Sequence, residues 1–212
     1  MKTVLCYGDS QTWGYDAATQ GRHALADRWP SVLQAILGDG VHVDAEGLNG
    51  RTTAFDDWLA GADRNGARLL PTLLTTHAPL DLVIVMLGAN DMKPWVHGNP
   101  VAAMQGMRRL AEIVRCHDYP FGWPAPQLLL VAPPSVSRTD NAEFKAMFAG
   151  GDEASRHLSA LYAGLADELG CGFFDAGSVA ATTPIDGVHL DAENTRAIGA
   201  ALAPLVRVML EL

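Results

Sequence analysis

Two short stretches at opposite ends of the chain hold residue types suited to nucleophilic catalysis. Gly8-Asp9-Ser10-Gln11-Thr12 lies near the start and Asp186-Gly187-Val188-His189 near the end. A serine hydroxyl is a poor nucleophile at neutral pH until a base takes its proton. An imidazole does this best when a carboxylate on its far nitrogen fixes the tautomer. Ser10, His189 and Asp186 can fill these roles if the fold unites the two stretches. Each stretch alone reads equally well another way: Asp and Ser are good helix caps, and a lone Asp-x-x-His is more often a cap beside a loop histidine.

Acyl transfer also needs preorganised donors for the negative oxygen of a tetrahedral intermediate. In Leu48-Asn49-Gly50-Arg51-Thr52-Thr53, Gly50 lets a backbone N–H come close to a substrate. In Gly88-Ala89-Asn90-Asp91, Asn90 offers a side-chain amide. With the backbone N–H of Ser10, three oxyanion donors are available.

The elements that must position these groups follow from the apolar pattern. Short β-branched or continuous apolar runs predict strands at Thr3 to Tyr7, His42 to Glu46, Asp81 to Leu87, Gln127 to Ala132 and Gly172 to Asp175. Helices are predicted at Trp29 to Leu37, Ala67 to His77, Pro100 to His117, Glu153 to Leu169 and Ala192 to Leu210, with loops at 118–126 and 133–151. Alternating strands and helices joined by right-handed crossovers predict a three-layer α/β/α sandwich around a five-stranded parallel sheet, flavodoxin-like in architecture. In such folds the ligand site lies beyond the carboxyl ends of the strands, and the Ser10, Gly50 and Asn90 loops each follow one.

At 212 residues, 49% hydrophobic and 18% charged, the chain suits a single domain over 1–212 that buries about 70% of its extended surface. A net charge of −9 without a basic run argues against a nucleic-acid partner. No apolar run approaches the roughly 20 residues of a membrane helix, so no membrane insertion is expected. The chain enters a strand without a leader-like segment, which points to a cytoplasmic location. Cys6, Cys116 and Cys171 are read as buried free thiols. The scattered histidines lack partners at ligand spacing, so neither a metal nor a cofactor is expected.

Gly8-Asp9-Ser10 with Thr12, Gly50, Gly88-Ala89-Asn90-Asp91 and Asp186-x-x-His189 resemble, in order, the four blocks of the SGNH (GDSL) hydrolases. A closer likeness, to bacterial arylesterases known for acyl transfer and perhydrolysis, lies in Gly47-Leu48, Arg51-Thr52-Thr53, Ala78 to Val83, Met86-Leu87-Gly88, Lys93 and Phe173 to Gly177. The resemblance implies a serine esterase with Ser10, Asp186 and His189 as catalytic residues and Ser10, Gly50 and Asn90 as the oxyanion hole. It implies small ester and alcohol substrates, acyl transfer to alcohols or hydrogen peroxide, and a homo-oligomer.

The substrate pocket is expected from Asp9, Gln11, Trp13, Lys93, Trp95, Phe148, Phe174 and Val188, with Tyr15, Phe144 and Met147 as further wall candidates. Gln11 stands where the family usually has leucine. Either it points away from the site or it adds a hydrogen-bonding group to the acyl pocket. The rival readings are a thioesterase, lysophospholipase or carbohydrate deacetylase with the same triad, and a noncatalytic flavodoxin-like module whose first loop would cradle a phosphate.

Overall fold

The computed structural model describes residues 1–212. Strand β1 (Lys2–Gly8) leads into a one-turn helix, α1 (Ser10–Trp13), and a small antiparallel hairpin of β2 (Tyr15–Asp16) and β3 (Gly21–Arg22). Helix α2 (Trp29–Leu37), strand β4 (Val41–Gly47), helix α3 (Gly66–His77), strand β5 (Leu82–Met86), helix α4 (Pro100–Cys116) and strand β6 (Gln127–Ala132) follow. The chain ends with α5 (Ala142–Met147), α6 (Gly151–Ala154), α7 (Leu158–Leu169), β7 (Gly172–Asp175) and α8 (Ala192–Leu210).

The strands β4-β1-β5-β6-β7 form one parallel sheet in that order. The apolar runs of β1, β5 and β6 are continuous because both faces of these strands are covered. Leu5, Tyr7, Val83, Val85, Leu128 and Leu130 pack under α3, α4 and α7. Val4, Cys6, Leu82, Ile84, Leu129 and Val131 alternate with them and pack under α2 and α8. This is the expected α/β/α sandwich. Helix starts follow the sequence signals too: Asn99 caps α4 ahead of Pro100, and Asp191 caps α8.

Three expectations need correction. The segment 133–151 is not all loop, since α5 lies inside it, begun by Asn141, whose side chain accepts from the N–H groups of Glu143 and Phe144. The expected single helix from Glu153 is broken into α6, a tight turn at 155–157, and α7. Of the three thiols only Cys6 is buried; Cys116 is exposed at the end of α4 and Cys171 is half-buried.

The register aligns the strand ends that carry the site. Gly8 of β1 pairs with Gly47 of β4 on one side and Met86 of β5 on the other, so three loops leave the sheet at one level. The sheet order reverses between β4 and β5 around β1, and a crevice opens there.

Candidate active site

The turn that carries Ser10 is built from local hydrogen bonds. Asp9 caps α1 by accepting the N–H of Gln11 at 2.9 Å, which leaves Ser10 as the first helical residue, with its own N–H free of an intrahelical acceptor. This short helix lies directly on the end of β4: a Cβ on Gly47 would sit 2.2 Å from the Trp13 nitrogen, so only glycine permits the approach. Arg51 ties the two strand ends together. Its buried Nη1 donates to the carbonyls of Gly8 (2.8 Å) and Glu46, and its guanidinium lies over the Tyr7 ring, 4.1 Å from the centroid.

The histidine comes from the loop before α8. Asp186 Oδ1 accepts the N–H groups of Val188 and His189, both at 2.9 Å, and Oδ2 accepts from His189 Nδ1 at 2.6 Å. His189 Nε2 then faces Ser10 Oγ at 2.9 Å across 179 positions of sequence. Because a carboxylate only accepts, Nδ1 carries the proton and Nε2 is left to receive that of Ser10. Burial would raise the Asp186 carboxyl, but the hydrogen bonds from His189 and the Val188 N–H outweigh it and hold the group below its ordinary value. The loop is anchored by Thr183 N–H to His189 O (2.7 Å) and by Ser137 N–H to Gly187 O (2.8 Å).

Gly50 adopts φ +82°, in the left-handed region, and its N–H has no partner within the chain. Asn90 Nδ2 donates to Asp9 Oδ2 at 3.3 Å and to Arg51 O at 3.2 Å. Both bonds are at the long end of the normal range, so one hydrogen can pass to a stronger, charged acceptor. Beneath them, buried Asp91 accepts from Thr53 N–H (3.1 Å) and Thr53 Oγ1 (2.5 Å) and secures the Asn90 turn.

Ser10, His189, Gly50 and Asn90 open onto a cavity of about 190 Å³. Tyr15, Asn49 and Lys93 line its polar side, and Phe144, Met147, Phe148 and Val188 its apolar side. The Tyr15 ring lies 4.2 Å from the His189 ring and the Phe144 ring 5.8 Å from it, centroid to centroid. A larger groove of about 740 Å³ shares Phe144 and Phe148 and reaches Asp186, but touches neither Ser10 nor His189. Only the smaller cavity therefore holds the Ser10 hydroxyl and the His189 ring together.

The GDSL-like lipase/acylhydrolase family model matches residues 6–197. The chain belongs to that family. Among solved structures, a carbohydrate acetylesterase family member from Sinorhizobium meliloti shares 66% identity over all of both chains, with a TM-score of 0.99. The native aryl esterase of M. smegmatis shares 41% identity over 99% of this chain and 100% of that one, with a TM-score of 0.94. A second carbohydrate acetylesterase from Sinorhizobium meliloti shares 42% identity over 99% and 100%, with a TM-score of 0.93. No curated protein matched the chain. This GDSL acylhydrolase is a carboxylic ester hydrolase with the SGNH hydrolase fold. The phosphate-cradling module is set aside. No helix is long and apolar enough to cross a membrane.

In the GDSL hydrolase, Lys93, Phe148 and Val188 line the cavity together with the wall candidates Tyr15, Phe144 and Met147, while Asp9, Gln11, Trp13, Trp95 and Phe174 do not. Asp9 is 1% exposed and works from below, on Gln11 and Asn90. Gln11 turns its amide to Val188 O. Trp13 is covered by Arg22, whose guanidinium carbon lies 4.5 Å from the ring centroid. Trp95 points its Nε1 at Asp57, 3.2 Å away, and Phe174 packs on the sheet face under α2 and α8. These residues are near the site in sequence, but strand alternation and local hydrogen bonds turn them elsewhere. Lys93 is 8% exposed and paired with Asp57 at 3.2 Å, so it is no solvated surface cation. Asn49 was not anticipated; its position beside Gly50 was the only available signal.

Proposed function

We propose that this GDSL hydrolase cleaves short-chain esters through a Ser10 acyl-enzyme. His189 acts as base and then acid, Asp186 orients it, and the N–H groups of Ser10 and Gly50 with the Asn90 amide form the oxyanion hole. The observation that carries this reading is the continuous relay from Asp186 Oδ2 through His189 to Ser10 Oγ, 2.6 and 2.9 Å long. A cavity of about 190 Å³ walled by Phe144, Met147 and Phe148 suits a small acyl group. An apolar wall disfavours water beside the acyl-enzyme, which supports transfer to a small alcohol or hydrogen peroxide. Ser10→Ala should abolish turnover of p-nitrophenyl acetate while leaving the fold intact, and retention of the wild-type rate would end the nucleophile assignment. Rates across p-nitrophenyl acetate to octanoate should fall with chain length, and added ethanol should yield ethyl acetate.

A carbohydrate acetyl ester is the second reading for the alcohol side. It is supported by the naming of two similar structures as carbohydrate acetylesterases and by the polar groove reaching Asp186, which includes Arg138, Asp140, Lys145 and Asp152. Comparing kcat/KM on acetylated sugars and on aryl acetates separates the two. Self-association is the companion proposal. Trp58 and Leu59, 87% and 75% exposed, support it, and sedimentation velocity on the purified chain tests it by sedimentation coefficient.

A further inference from the structure

The side chain that follows the nucleophile neither lines the acyl cavity nor points to solvent. Gln11 is 3% exposed, and its Nε2 donates to the carbonyl of Val188 at 2.9 Å, from α1 to the loop that carries the base. No other donor in the chain reaches that carbonyl. The N–H on the opposite edge of the same peptide unit, that of His189, donates to Asp186 Oδ1 at 2.9 Å. The Val188–His189 peptide is thus held on both edges, by α1 and by the loop's own carboxylate. A peptide unit is planar, so pinning both edges fixes its tilt and with it the Cα that bears the His189 ring. The Gln11 oxygen has no partner in the protein, and turning the amide over would set oxygen against oxygen, so the nitrogen alone makes the contact.

We infer that Gln11 is a positioning residue for the base: its amide holds the His189 backbone so that the ring stays within bonding reach of Ser10. This rests on the esterase reading above. Ser10 and Gln11 are adjacent on one turn of helix, so the clamp references the histidine loop to the nucleophile's own backbone. Leucine, the residue the resembling family usually carries here, would fill the space but offer no donor. The Val188 carbonyl would then be buried without a partner.

Gln11→Met keeps the volume and removes the donor. Its kcat toward p-nitrophenyl acetate should fall about tenfold while KM stays within about twofold, because misplacing a base slows chemistry without altering the cavity. Amide hydrogen exchange in residues 184–190 should quicken in the same variant. An unchanged kcat, or a loss confined to KM, overturns the inference whatever the exchange shows. Ser10→Ala is measured alongside: turnover retained there sinks the Ser10–His189 mechanism on which the inference rests, whereas an inactive Ser10→Ala beside a fully active Gln11→Met sinks only the positioning role. Should Gln11→Met fail to fold, Gln11→Glu takes its place, since its carboxyl can donate to Val188 O only when protonated. The titratable groups around it are Asp9, Tyr15, His23, Asp186 and His189, all common to the wild type, so the ratio of variant to wild-type rate reports the introduced carboxyl. That ratio should climb as pH falls; a flat ratio overturns the inference.

Discussion

Asp186 grips His189 twice, through the ring by Oδ2 at 2.6 Å and through the backbone by Oδ1 at 2.9 Å. The two contacts separate the chemical role of the residue from its structural one. In Asp186→Asn the remaining oxygen can still accept both backbone N–H groups, so the loop should keep its shape. The new NH2 would face Nδ1 and force the proton onto Nε2, where it cannot receive that of Ser10. Activity on p-nitrophenyl acetate should drop by roughly 10³–10⁴ with unchanged thermal unfolding. A drop below tenfold would show that Asp186 merely shapes the loop.

Asn90→Ala removes the proposed oxyanion donor and also leaves Asp9 Oδ2 and Arg51 O without their shared partner. The rate should fall about a hundredfold or more, chiefly in kcat, since the bond that matters strengthens as charge develops on the substrate oxygen. Steady-state kinetics on aryl acetates read this directly, and near-normal kcat would remove Asn90 from the hole.

The buried carboxyls predict an inverted pH response in part of the acid range. Burial pushes Asp9 and Asp91 up from 3.8 to about 6. Unfolded, each loses its proton near pH 4; folded, each holds it to about pH 6. Between those limits the native state binds more protons than the unfolded chain, so these two groups lower stability as pH rises through the window, at a cost on the order of 1–3 kcal/mol each above it. Carboxyls held low, such as Asp186 and Asp63, act in the opposite sense but only below about pH 4. Asp91→Asn keeps an acceptor for Thr53 and removes the charge. Urea midpoints from pH 4.5 to 6.5 should therefore vary less for the variant than for the wild type, and identical slopes would contradict this account.

Gly50 sits at φ +82°, where a Cβ would also come within 3.2 Å of Arg64 Nε. Gly50→Ala should destabilise the protein by about 1 kcal/mol and lower kcat by tilting the N–H away from the oxyanion. Chemical denaturation and kinetics on one preparation test both effects, and an alanine variant of full stability would show that the loop relaxes freely.

The sheet was legible because its causes are local and repeated. The runs at 4–7, 82–86 and 128–132 are apolar at every position, as strands covered on both faces are. Segments ruled by a few side-chain caps were harder. Helix α5 is six residues long and starts at an Asn141 cap within a polar, glycine-bearing stretch, so periodicity could not show it. It nonetheless supplies Phe144 and Met147 to the cavity wall.

By itself the sequence determined the elements, their alternation and the residue types fit for acyl chemistry, because hydrophobic periodicity and local capping act over a few residues. What only the tertiary structure decided is which of those side chains meet. Ser10 and His189 come within 2.9 Å because α1 and the histidine loop rise from the same end of the sheet, while Trp95 and Phe174, equally plausible in sequence, are turned away by a carboxylate and by strand alternation. The Gln11 contact with Val188 O belongs to that second class as well, since a donor and an acceptor 177 positions apart become partners only when the chain closes on itself.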